Sequence, residues 1–239
     1  MLEKKDLKKI SAIAGVPPDI VEKDIALSVA LIKIAQSNLT EKIIFKGGTA
    51  IRKIYFEHAR FSEDLDFSIQ TGITKNVILS EFTKLFSNTT MHGIQFSEVK
   101  EEKTTAGLKL RIKFFGPLEY WQSIRIDCNF RENLVQKPIN GKIIDTYHLG
   151  HYIIPTMPLE EIFAEKMHAL SSRAAPRDLY DIAFLLKNNV QLDSSLVEKK
   201  LAYYGEKFDK IKIEKNIDEM RINWKRDLER LLKPLPEYE

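Results

Sequence analysis

Cysteine is almost missing from this chain: Cys128 stands alone among 239 residues. No internal disulfide can form, which suits a reducing compartment. Alternating with Ile126 and Phe130, Cys128 reads as a buried structural thiol rather than a reactive one. Long apolar runs are missing too. Nothing approaches the roughly 20 residues of a membrane span, and Met1-Leu2-Glu3-Lys4-Lys5 does not lead into the apolar core of a signal peptide. These two gaps point to a cytoplasmic protein with no membrane partner. Internal repeats and low-complexity tracts do not occur. Neither does a charge of one sign: 37 Lys and Arg against 34 Asp and Glu leave +3, a balance that permits nucleic-acid binding without arguing for it. Histidine is scarce, and His148-x-x-His151 lies in loop or strand sequence without a third ligand nearby, which argues against a metal site there.

What is present is ordinary globular composition, 44% hydrophobic and 30% charged, enough for one large domain or two small ones with a sizeable core. A helical N-terminal piece runs to about residue 38, its second helix starting after Pro17-Pro18-Asp19 with Asp19 as the cap. A short strand around Ile43-Ile44-Phe45 leads to Gly47-Gly48 and a helix over 49–56. A strand through Asp64 follows, then a helix over 75–87. Leu108, Leu110, Ile112 and Phe114 alternate with Lys109, Arg111 and Lys113, and Ile124 to Arg131 alternates as cleanly, so both are strands with one buried face. Asn140-Gly141 signals a hairpin turn. From Pro158 onward the pattern is helical. The boundary therefore divides a mixed sheet-and-helix half, residues 1–155, from a helical half, residues 156–239.

The chemistry concentrates in Phe61-Ser62-Glu63-Asp64-Leu65-Asp66-Phe67 and in Lys46-Gly47-Gly48-Thr49 upstream of it. On a strand, Asp64 and Asp66 share one face with Ser62, while Leu65 and Phe67 turn toward the core. Two carboxylates side by side repel unless a cation lies between them, and oxygen ligands in this number suit Mg²⁺ completed by substrate phosphates. A diglycine turn opening a helix offers backbone N–H groups to phosphate. Asp127, on the polar face of a second strand, is either a third metal carboxylate or a solvated residue paired with Arg125 or Arg131.

Three further positions stand out. Lys166 falls inside the apolar stripe of its helix, among Leu159, Ile162, Phe163 and Met167, so it must be paired or meet a phosphate. Asp178 opens the next helix beside Arg177, either as dipole chemistry or as partner of Lys166 or Arg173. Asp24 sits on the apolar side of its helix and wants a cation that the sequence does not name. Arg52 and Arg60 flank the diglycine helix, where they either steady a triphosphate or are ordinary surface arginines.

These segments resemble the AbiEii/AbiGii nucleotidyltransferase toxin family, within the DNA polymerase β-like nucleotidyltransferase superfamily. The resemblance runs in order through Glu22-Lys23-Asp24, Lys46-Gly47-Gly48-Thr49, Arg60 to Phe67, Glu165-Lys166-Met167 and Arg177-Asp178-Leu179-Tyr180-Asp181. The superfamily commonly has Gly-Ser with a shorter spacer, and the longer spacer is usual for the toxin family. The resemblance implies an α+β fold, a nucleotidyltransferase-type mixed sheet with flanking helices plus a helical C-terminal region. It implies a nucleoside triphosphate as substrate and Mg²⁺ or Mn²⁺ as cofactor. Asp64 and Asp66 match the metal ligands, joined by Asp127 on strand pattern. Gly47, Gly48 and Ser62 match phosphate-facing positions, with Thr49, Arg52, Arg173 and Arg177 as further nucleotide contacts. Lys166 and Asp178 match the later motifs. The expected reaction is transfer of NMP to RNA, at the acceptor end of tRNA, by the toxin of a type IV toxin–antitoxin system whose antitoxin need not bind it. Lys109, Arg111 and Lys113 are either the RNA surface or a solvated strand face. The alternatives are an NTP-binding regulator without transfer activity, and nucleotidylation of a protein or small molecule.

Overall fold

The second of two consecutive prolines starts the first long helix. A residue before proline is pushed out of the helical region, so Pro17 stays extended (φ −58°, ψ 147°) and α2, Pro18–Ala35, begins with proline in its first turn. Asp19 is thus a first-turn acid facing the helix dipole, not the cap that its residue type suggested. The computed structural model describes residues 3–131 and 134–238. Before α2 lies α1, Lys4–Ala14, closed by Gly15 in the left-handed conformation.

The sheet follows. Its strands are β1 (Ile43–Lys46), β2 (Asp64–Ile69), β3 (Thr89–Met91), β4 (Ile94–Glu102), β5 (Leu108–Phe115), β6 (Trp121–Asn129), β7 (Ile139–Lys142) and β8 (Ile153–Thr156). They form one eight-stranded sheet in the order β3-β4-β5-β6-β2-β1-β8-β7. β2 runs antiparallel to β1 and parallel to β6. One face is apolar: Phe45 lies opposite Phe67, Phe67 opposite Cys128, and Leu65 opposite Ile126. The helix α4, Lys75–Phe86, adds Phe82 and Phe86, so that Phe45, Phe67, Phe82, Phe86 and Phe96 form a continuous run of ring contacts. Burying aromatic area of this size is the main stabilising term on that face.

Two local expectations change. The helix after β1 starts at Gly47 itself, as α3 (Gly47–Ala50), and widens into a π-helical turn over Ile51–Tyr55, closed by Phe56 N–H donating to the Ile51 carbonyl at 2.8 Å. Asn140 and Gly141 are not a turn but lie inside β7. Gly141 serves close approach instead: a β-carbon there would overlap the Thr156 hydroxyl of β8 and Ile54.

The chain divides into two compact units, Met1–Glu132 with Pro138–Thr156, and Asn133–Lys137 with Met157–Glu239. The second contains α5 (Leu159–Ser172), α6 (Pro176–Lys187), α7 (Ser194–Tyr203) and α8 (Lys210–Leu228). The upstream segment belongs to it because the buried Glu161 carboxylate accepts the Val135 and Gln136 N–H groups, both at 2.8 Å.

Candidate active site

Register makes the polar face of the sheet. Along one cross-strand row lie Lys46, Asp66, Asp127, Lys109 and Glu102, on β1, β2, β6, β5 and β4 in turn. The next row holds Asp64, Arg125, Arg111 and Lys100. Directly paired residues on neighbouring strands point to the same side, so Asp66 and Asp127 are adjacent carboxylates, with Asp64 two residues along β2. Lys46, Asp66, Asp127 and Lys109 line one cavity of about 260 Å³.

The glycine turn is built against these acids. Gly47 has φ 79°, and a β-carbon there would run into the Asp66 carboxylate. Only glycine allows both the backbone conformation and the close approach. Gly48 follows, half-buried. Thr49 and Ser62, expected to touch phosphate, are instead buried and turned toward Asp64. The Thr49 hydroxyl donates to the Asp64 carbonyl at 2.5 Å, and the Ser62 hydroxyl to Asp64 Oδ1 at 3.1 Å. Both therefore hold the β2 carboxylate in place.

Asp127 pairs with neither Arg125 nor Arg131. Its Oδ2 is 3.2 Å from Lys109 Nζ, while its Oδ1 is buried without a hydrogen-bond partner. Burial, then the charges of Asp127 and Asp66, push the neighbouring Cys128 thiol far up, so it is inert as a nucleophile. An unpartnered carboxylate oxygen beside a second carboxylate fits a hard divalent cation. Among the described residues no group of three or more His, Cys, Asp or Glu side chains is placed to hold a metal ion, so the fit rests on the Asp66–Asp127 pair and on ligands from water or phosphate.

Arg52 is a correction. Its guanidinium donates to the Glu57 carbonyl at 2.8 Å and to the Ala59 carbonyl, lies 3.9 Å from the Phe61 ring centre and is 3.4 Å from Asp24. It is core structure, with its donors turned inward. It belongs to the cluster that supplies Asp24's missing cation: Lys53 Nζ and the Tyr147 hydroxyl each lie 2.6 Å from Asp24 Oδ2. Burial alone would raise the Asp24 carboxyl, but Lys53 and Arg52 outweigh it and hold it low, while burial draws Lys53 down to about 8. Arg60 is likewise buried, donating to the Phe61 carbonyl at 3.1 Å.

The basic face of β5 is also altered by its neighbours. Lys109 pairs with Asp127, Arg111 with Glu102 and Lys113 with Glu98. Each of its three cations has a carboxylate partner, so the exposed face of β5 carries ion pairs.

In the second unit, Lys166 lies 2.8 Å from Asp178 Oδ1 and 2.8 Å from Asp181 Oδ2, and Arg173 Nη2 is 2.8 Å from Asp178 Oδ2. Burial works against the Asp178 charge, but Lys166 and Arg173 together hold its carboxyl below the usual range. Arg177, half-buried, precedes it in the first turn of α6. Sequence reasoning missed Lys200, buried and 2.7 Å from Glu161 and 3.0 Å from Glu165. A lysine on the buried side of α7 was the available signal.

This sheet, with its glycine turn packed on a carboxylate strand, is a nucleotidyltransferase fold. It is similar to MenT4, a nucleotidyltransferase toxin from Mycobacterium tuberculosis H37Rv, at 20% identity and a TM-score of 0.75, over 99% of this chain and 85% of that one. A nucleotidyltransferase-like antigenic protein from Paracoccidioides brasiliensis matches less closely, at 16% identity and a TM-score of 0.52, over 89% and 94% of the two chains. No curated protein matches. The family described as nucleotidyl transferase AbiEii toxin, type IV toxin–antitoxin system, matches residues 29–239, and the chain belongs to it. The protein is a nucleotidyltransferase toxin, a class that implies a nucleoside triphosphate substrate and a cognate antitoxin. Among the described residues no helix is long and apolar enough to cross a membrane.

Proposed function

We propose that this toxin transfers NMP from a nucleoside triphosphate to RNA, with the tRNA acceptor end as target, in a reaction dependent on Mg²⁺ or Mn²⁺. The acceptor hydroxyl oxygen attacks the α-phosphorus, the bond to the β-phosphate bridging oxygen breaks, and pyrophosphate leaves. Asp64, Asp66 and Asp127 would hold the divalent ion, which supplies neutralisation of phosphate charge. Gly47 and Gly48 offer N–H groups to phosphate. Asp127, whose Oδ1 has no partner, takes the proton released by the acceptor hydroxyl. Lys166 and Asp178 enter this reading through the family resemblance, as charge that stabilises the leaving phosphates and the acid that orients it. The observation that carries the proposal is the Asp66–Asp127 pairing across β2 and β6, with Gly47 packed onto Asp66.

The test is label transfer from each α-³²P NTP to total tRNA with Mg²⁺, beside Asp64→Asn and Lys166→Ala. The expected result is labelled tRNA with a preferred nucleotide, lost in both variants. Label on a co-incubated protein or small molecule instead would replace the acceptor, and nucleotide binding without any labelled product would replace catalysis with regulation.

A further inference from the structure

On the polar face, Lys109 touches a proposed metal ligand from the sheet side opposite Lys46. Its ammonium is 3.2 Å from Asp127 Oδ2, with side chains 47% and 32% exposed. An ion pair this open is weak and easily exchanged. The other Asp127 oxygen is already unpartnered. On its far side, Lys109 lies directly opposite Glu102. Glu102 accepts from Arg111 through Oε1 at 2.6 Å, and its Oε2 is 3.8 Å from Arg125 Nε. Lys109 thus stands between two acids, one in the cavity and one outside it.

We propose that Lys109 is a displaceable counter-ion: it neutralises Asp127 when no divalent cation is bound and moves to Glu102 when one is. This rests on the metal-dependent reading above. Two adjacent carboxylates repel, and a mobile ammonium offsets that repulsion without filling the site. The consequence is a threshold. A divalent ion on the unpartnered Asp127 oxygen would compete with the ammonium for the charge of the same carboxylate, so free enzyme binds it weakly, and Lys109 is a positioning residue rather than a catalytic one.

The experiment is a Mn²⁺ titration of the full chain without nucleotide or RNA, reading free Mn²⁺ by electron paramagnetic resonance. Removing an exposed pair partner predicts that Lys109→Gln binds Mn²⁺ about two- to five-fold more tightly than wild type. Lys113→Gln makes the same charge change about 13 Å further along β5, beyond the screening length of about 8–10 Å, and leaves affinity unchanged. In an Asp127→Asn background the effect of Lys109→Gln disappears. Mn²⁺ binding that appears only in Lys109→Gln is the extreme form of the expected result. Equal or weaker binding by Lys109→Gln, an effect that survives Asp127→Asn, or no binding by either protein overturns the proposal. The two readings separate cleanly: if Asp66→Asn and Asp127→Asn lose Mn²⁺ but Lys109→Gln gains none, only the counter-ion role fails. If neither aspartate variant loses Mn²⁺, the metal site fails with it.

Discussion

Gly47 carries the sharpest constraint of any single residue here. Its φ of 79° costs any other L-residue about 1–2 kcal/mol, and its absent side chain leaves room for the Asp66 carboxylate. Gly47→Ala should therefore do two separable things. Stability should fall by about 1–2 kcal/mol in urea unfolding. Transfer activity should fall further, by about 100-fold, because displacement of a carboxylate by a fraction of its own width is enough to spoil in-line geometry. An alanine variant of normal activity would mean that Asp66 does not need its present position. Gly48, the next residue and inside α3, is the natural comparison.

Between elements, charged staples do what local sequence cannot announce. Lys166 on α5 holds Asp178 and Asp181 on α6, and Arg173 closes on the outer oxygen of Asp178. Asp178→Asn removes the charge but keeps the shape, and should cost about 2 kcal/mol near neutral pH, less than breaking a fully buried pair because Asp181 remains. The sign with pH follows from the depressed Asp178 carboxyl. Its stabilisation is complete above the ordinary value of 3.8 and is lost as pH falls through the lower folded value. Urea midpoints of wild type and Asp178→Asn should hence differ at pH 6 and converge below about pH 4; a constant gap down to pH 2.5 would contradict the pairing. Much of this joint was legible beforehand. A lysine inside an apolar stripe has few reasons to be there, and a proline-led helix with an acid in its first turn was the obvious partner. The strands of β5 and β6 were legible for the same reason, strict alternation. What was not legible was everything set by register between distant strands. That Asp127 lies beside Asp66 depends on β2 and β6 pairing in parallel, and that Lys109 rather than Arg125 meets it depends on the antiparallel register of β5 on β6, neither of which a strand's own pattern encodes. Arg52 failed differently: the sequence places an arginine on a helix but not which way a π-turn rotates it. Asn140-Gly141 carried a true local signal for a turn, overridden by the need for a bare backbone against Thr156.

For the molecule as a whole, the proposed RNA acceptor would need a surface that recognises it, and charge balance narrows where that surface can lie. Salt dependence of nucleic-acid binding measures the counter-ions that leave the nucleic acid when protein cations neutralise its phosphates, about 0.7 per contact for a single strand. A cation already matched by a protein carboxylate has little to gain from a phosphate. On the β4–β5–β6 face, Arg111 pairs with Glu102, and Lys113 and Lys100 share Glu98. With a net charge of only +3, the chain lacks a strong diffuse positive field, so the proposed RNA acceptor would have to be held by a few unmatched cations. Arg111→Gln with Lys113→Gln should accordingly leave the slope of log K against log salt for tRNA unchanged. A slope shallower by about 1.4 would mean both residues contact phosphate, and that their carboxylate partners let go when RNA arrives. An unchanged slope moves the RNA surface off this face and makes the ion pairs what their geometry already suggests, the links that keep a long, exposed sheet face in register beside Asp64, Asp66 and Asp127.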